Sequence, residues 1–115
     1  MKRSADDFLP LAPAVLHILL ALAGEELHGY GIMQEVARQS DGRYKLGPGT
    51  LYDNLQRLVK QGIVEPAGEA AEDSRRRYYR LTSLGRGVIA AEISRLETVV
   101  REARLHIPAT LTGRS

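Results

Sequence analysis

Gly47-Pro48-Gly49-Thr50-Leu51-Tyr52-Asp53-Asn54-Leu55-Gln56-Arg57-Leu58-Val59-Lys60-Gln61-Gly62-Ile63-Val64-Glu65 leads through an acidic loop to Arg75-Arg76-Arg77-Tyr78-Tyr79-Arg80-Leu81-Thr82. Pro48 suits the first turn of a helix and Gly62 its end, which predicts a helix between them. Leu51, Leu55 and Leu58 fall at i, i+4 and i+7, one apolar stripe facing a core. At about 100° per residue, Asp53, Gln56, Arg57 and Lys60 come out on the opposite face. Thr50 and Tyr52 sit on the shoulders near the N-terminal end. Ile63–Glu65 then reads as a short strand. Pro66 to Ser74 is a loop holding Gly68, Glu69, Glu72 and Asp73. Arg77–Leu81 reads as a second strand, with Arg77, Tyr79 and Leu81 on one face and Tyr78 and Arg80 on the other.

Helix, strand, charged loop and strand, in that order, outline a winged helix-turn-helix: mainly α with a small two-stranded β-wing. Such a module places one helix in the DNA major groove and a basic hairpin beside it. The charge pattern agrees. The 115-residue chain has a net charge of only +2. Residues 43–82, however, carry eight cations against five acids, whereas residues 13–41 carry Arg38 against four acids. Basic charge thus collects where a polyanion would need it.

Upstream, Lys2 and Arg3 precede an apolar run from Leu9 to Ala23 that ends Ala21-Leu22-Ala23, the outline of a signal peptide. Asp6, Asp7, Pro10, Pro13 and His17 interrupt that outline. The run is also shorter than the roughly 20 apolar residues that span a bilayer. It is read as a buried first helix, about Pro13–Ala23, in a cytoplasmic protein with no membrane partner. Leu27-His28-Gly29-Tyr30 leads into a second helix with Ile32, Met33, Val36 and Ala37 inward, ended by Ser40-Asp41-Gly42.

Downstream, Thr82 is placed to cap a last helix from about Ser83 to His106. Ile89, Ile93, Leu96, Val100, Ala103 and Ile107 are spaced 4, 3, 4, 3 and 4, a heptad seam. Arg95, Arg101, Arg104, Glu92, Glu97 and Glu102 take other positions. A long apolar seam beyond a complete small domain needs a partner, and a second copy is the economical one. The expected organisation is a DNA-binding domain over residues 1–82, a dimerisation helix over 83–108 and a loose tail over 109–115.

The chain has no cysteine, which excludes disulfides and thiolate metal sites. His17, His28 and His106 are far apart and lack a carboxylate cluster, so no metal site is expected. Gly47-Pro48-Gly49 lacks the remaining residues of a phosphate loop, and no serine sits in a nucleophile motif. No enzyme and no cofactor are read here.

Three motifs in this order resemble the PadR-like family of transcriptional regulators. They are Leu27-His28-Gly29-Tyr30; Gly49-Thr50-Leu51-Tyr52 with Leu55, Arg57-Leu58 and Gly62-Ile63; and Arg77-Tyr78-Tyr79-Arg80-Leu81-Thr82 with Gly85. The resemblance covers about residues 12–107 and fits the compact subgroup with a single C-terminal helix. It implies a homodimeric repressor bound to a roughly palindromic double-stranded operator. The third helix would enter the major groove, and the last helix would form the dimer with help from the first. It also allows a small-molecule effector. No separate ligand domain is present, so a pocket for one would lie between subunits. Asp53 departs from the proline common in the family, and the acidic loop leaves only the base of the wing to approach DNA.

The candidate DNA-binding residues are His28, Lys45, Gly49, Thr50, Tyr52, Asp53, Gln56, Arg57, Lys60, Arg75, Arg76 and Arg77. Leu16 and Leu20 of the first helix join Ile89, Ile93, Leu96, Val100, Ala103 and Ile107 as the dimerisation set. Several alternatives stand beside these readings. Thr50 either caps its helix or meets phosphate. Tyr52 either packs in the core or aims its hydroxyl at DNA. Arg57 either reads a base or forms an ion pair. Asp53 either accepts from cytosine or filters against other partners. His28 is a cap or hydrogen-bonding residue near a phosphate. The competing class is a winged-helix protein-interaction module without specific DNA binding.

Overall fold

The computed structural model of the chain describes residues 4–68 and 77–107. A short 3-10 turn, Ala5–Phe8, precedes α1 (Pro13–Gly24), β1 (Leu27–His28), α2 (Gly29–Gln39), α3 (Pro48–Lys60), β2 (Val64–Ala67), β3 (Tyr78–Leu81) and α4 (Ser83–His106). The four helices and the helix–strand–strand order are those expected. The sheet has three strands rather than two, in the order β1-β3-β2. Leu27 pairs with Tyr79 on one side of β3, and Pro66 pairs with Tyr79 on the other. β1 spans only two residues, too few for a period-2 pattern to register. The edge position of β2 tolerates Pro66, which has no N–H to give.

One core joins all the helices. α1 contributes Ile18, Leu19 and Leu22, α2 Ile32 and Val36, and α3 its stripe of Leu51, Leu55 and Leu58. Ile63, Val64 and Leu81 close it from the sheet, and Val88 and Ile89 from α4. The first half of α4 therefore belongs to the core.

Two close approaches fix the relative positions of these parts. A Cβ on Gly85 would collide with the main-chain oxygen of Ile63. That places the first turn of α4 directly on the α3–β2 turn. Thr82 locks the same junction. Its hydroxyl accepts the Gly85 N–H at 3.0 Å, and its own N–H donates to the Ile63 carbonyl at 3.0 Å. The second approach is at Gly29, where a Cβ would strike the Tyr52 hydroxyl. α2 and α3 pack together through this pair.

Glu92 corrects the sequence reading, which put it among the outer positions of α4. It is 1% exposed. Its carboxylate accepts the Leu11 N–H at 3.1 Å and two bonds from Arg95 at 2.6 and 3.0 Å. It thereby pins the N-terminal arm across α4. A heptad count cannot see this contact, because the partner lies 81 residues away.

The Arg95 hydrogen bond holds the Glu92 carboxyl below the ordinary carboxylate range against the opposing effect of burial; the Leu11 N–H adds to the lowering. A carboxyl with a depressed folded pKa adds stability above its unfolded value, and that stability is lost as pH falls through the folded one. The arm is thus expected to stay docked above about pH 4.3, the ordinary glutamate value, and to release in more acid solution. Hydrogen exchange at Leu11 across pH 6 to 3 checks this. Glu92→Gln is expected to abolish the pH dependence of Leu11 protection.

Among the described residues no helix is long and apolar enough to cross a membrane.

Candidate nucleic-acid interface

α3 is buried along its leucine stripe and exposed along the rest. Gly49, Thr50, Asp53, Gln56, Arg57 and Lys60 are all exposed, so one outer face carries six of the candidate residues. Gly47 holds the N-cap position and supplies no side-chain cap. Thr50 does not cap either: its carbonyl accepts the Asn54 side-chain amide at 2.8 Å, and its exposed hydroxyl is left for an outside partner. The early N–H groups at this helix end are therefore open, and such ends favour anions.

Arg57 makes no ion pair among the described residues; it reaches the Asn54 side chain at 3.4 Å. Asn54 and Arg57 line a shallow depression beside Phe8 and Leu11 of the N-terminal arm. Asp53, Gln56 and Lys60 line the opposite flank, beside the wing. The outer face of α3 thus has two differently furnished sides.

Tyr52 is half-buried, with its hydroxyl against Gly29. Of its two readings, the structure shows the packed one. The same contact accounts for the glycine of the Leu27-His28-Gly29-Tyr30 motif, for which the sequence offered no reason.

The connector between α2 and α3 alternates. Leu46 is buried, and Tyr44 stacks on His17 with centroids 4.4 Å apart. The Ser40 hydroxyl accepts the Tyr44 N–H at 3.0 Å. Held between these anchors, Lys45 is exposed, as is Arg43. His28 is the N-cap of α2, its Nδ1 accepting the Gly31 N–H at 3.0 Å. That bond puts the proton of the neutral ring on Nε2, a donor. The ring also meets Tyr78 edge-on at 5.1 Å.

The wing carries less free charge than its sequence suggests. Arg80 donates to Glu65 at 2.7 Å and lies 3.5 Å from Glu26, so it is neutralised on the outer face of the sheet. Arg77 is half-buried, and its buried Nε has no hydrogen-bond partner among the described residues. Burial raises the pKa of the neighbouring Tyr79 hydroxyl, with the Arg77 charge working against it. Arg75, Arg76 and the loop acids Glu69, Glu72 and Asp73 lie outside the described residues.

The dimerisation set divides between two environments. Ile89 is 6% exposed and belongs to the core. Ile93 is 41% and Val100 49% exposed, and Ala103 and Ile107 are exposed too. Leu16, Leu20 and Leu96 are half-buried. Val99 and Leu105, outside the seam, are also exposed.

A helical core, a third helix with an open outer face and a short sheet beside it define a winged helix. The model of the PadR-like family of transcriptional regulators matches residues 15–91, and the chain belongs to that family. The transcriptional regulator Rv3488 of Mycobacterium tuberculosis is 37% identical over 87 residues, covering 76% of this chain and 78% of that protein. A transcriptional regulator from Clostridium thermocellum superposes with a TM-score of 0.68 at 26% identity, over 81% of this chain and 88% of the other. RosR of H. salinarum superposes with a TM-score of 0.64 at 25% identity, over 88% and 100%. The family and the matched relative are transcriptional regulators, not enzymes.

Proposed function

We propose that this regulator is a homodimeric, sequence-specific DNA-binding repressor that occupies a roughly palindromic operator. In this reading α3 lies in the major groove and the arginine-bearing base of the wing meets the flanking backbone. Two such helices related by a two-fold axis would reach grooves about 34–36 Å apart. Lys45, Lys60 and Arg75–Arg77 would supply phosphate contacts, and Asp53, Gln56 and Arg57 would face base edges. Relief by a small-molecule effector belongs to the same reading.

The observation that carries it is the state of the α3 N-terminus. Gly49 is exposed, has no positive φ, and a Cβ added to it would meet nothing within 4 Å. The fold gives no reason for a glycine there. Close approach of an outside backbone does, and the uncapped N–H groups and Thr50 hydroxyl point to an anionic one.

Gly49→Ala separates these explanations. In a helix the change favours folding by up to about 1 kcal/mol. The melting temperature is expected to rise while affinity for operator DNA falls about tenfold or more. A variant that gains stability and keeps full affinity would remove the close approach from the account.

The second copy is placed on α4. Ile93, Leu96 and Val100 form an apolar groove rimmed by Glu97 and Arg101. Two antiparallel copies would bring the glutamate of one against the arginine of the other, as a self-complementary interface requires.

A further inference from the structure

A cleft of about 680 Å³ lies inside a single subunit, between α3 and the wing. That is the size of a small-molecule site. Leu55, Val59, Pro66, Tyr52 and Tyr79 supply its apolar and aromatic walls; Asp53, Gln56, Lys60 and Arg77 supply its polar groups. The sequence placed any effector pocket between subunits, because neither strand nor helix alone shows this enclosure.

Arg77 is the unexplained group. Its Nε is buried and unbonded, and no carboxylate forms an ion pair with it among the described residues. An unsatisfied buried donor costs about 1–3 kcal/mol, more when charged. An acceptor is therefore missing at the arginine. Arg77 and Lys60 against Asp53 leave one positive charge, which fits a monoanion. The planar walls of Tyr52, Pro66 and Tyr79 fit a flat apolar body better than a bare, strongly hydrated ion.

We propose that this cleft binds a small organic monoanion, a carboxylate on a planar apolar frame. The carboxylate meets Arg77 and Lys60, and the frame lies between Val59 and Pro66. This deepens the DNA-binding reading and rests on it in one respect. Gln56, Asp53 and Lys60 line the cleft and also belong to the outer face of α3, so a ligand there competes with DNA directly.

The test uses benzoate as probe, with benzamide as its neutral counterpart and inorganic phosphate as the bare anion. Amide spectra of the full chain without DNA report binding; anisotropy of a labelled duplex reports competition. Benzoate is expected to shift signals of residues 52–60, 66 and 77–79, with benzamide and phosphate at least tenfold weaker. Lys60→Met, at an exposed position, is expected to weaken benzoate without loss of fold. Arg77→Met is expected to abolish its binding. Benzoate is also expected to displace DNA in proportion to its occupancy.

Phosphate binding as tightly as benzoate would overturn the proposal and make the cleft a backbone-phosphate seat. So would benzoate shifts elsewhere, or none, in a protein that binds DNA normally. Benzoate binding in the cleft of a protein that binds no DNA would instead overturn the DNA reading and leave the site standing.

Discussion

Gly85→Ala is expected to lower the melting temperature by roughly 15 °C, for a loss of about 3 kcal/mol at about 4–8 °C per kcal/mol in a domain of this size. The cause is local and has no easy relief. The added methyl would run into the Ile63 carbonyl oxygen, a backbone atom already engaged by the Thr82 N–H and hydroxyl. To make room, the first turn of α4 must lift from the α3–β2 turn. That strains the Thr82 cap and loosens Val88 and Ile89 in the core. Against a typical stability of about 5–15 kcal/mol the loss is large. Thermal unfolding followed by circular dichroism measures it, and a shift below about 3 °C would show that the junction yields more easily than its geometry states.

Leu96→Glu is expected to convert the dimer to monomer at micromolar concentration. By symmetry each substitution puts two carboxylates into one apolar seam. Leu96 lines the groove with Ile93 and Val100, so the new charges would lose water without gaining a partner. Operator affinity is expected to fall about 10²-fold or more, because two linked half-sites bind far more tightly than either alone. Leu96 is half-buried in one subunit, so Val100→Glu, at a position 49% exposed, serves as the companion that leaves the monomer core untouched. Light scattering during gel filtration reads the mass. A dimer that survives both changes would place the interface elsewhere.

Much of this fold was legible in the sequence because its signals are local. Pro48, the leucine stripe and Gly62 bound α3 between neighbours in the chain. Thr82 announces α4, whose bounds of Ser83 and His106 match the sequence reading. The signals that failed are those whose meaning depends on distant partners. Glu92 looks like any outer-face acid until Leu11 is brought to it. Arg80 looks like free basic charge until pairing places Glu65 and Glu26 beside it.

The candidate site shows the same division. The outer face of α3 follows from helical periodicity, and the structure exposes Gly49, Thr50, Asp53, Gln56, Arg57 and Lys60 together. Tyr52 sits at the boundary of that face, where 100° steps cannot decide a side; the bare Cα of Gly29 decides it. The heptad seam likewise reads as one feature in sequence. Its first member, Ile89, serves the core, and Ile93 onward lies at the surface.

The central claim is that this chain reads DNA sequence. Its most direct test is to select duplexes from a random pool, then titrate the full chain with the selected duplex and a scrambled one at the same physiological salt. The account predicts a preference of about 10³-fold or more, with a roughly two-fold symmetric selected sequence. Equal affinity for both duplexes, or no binding to either at low salt, would contradict it.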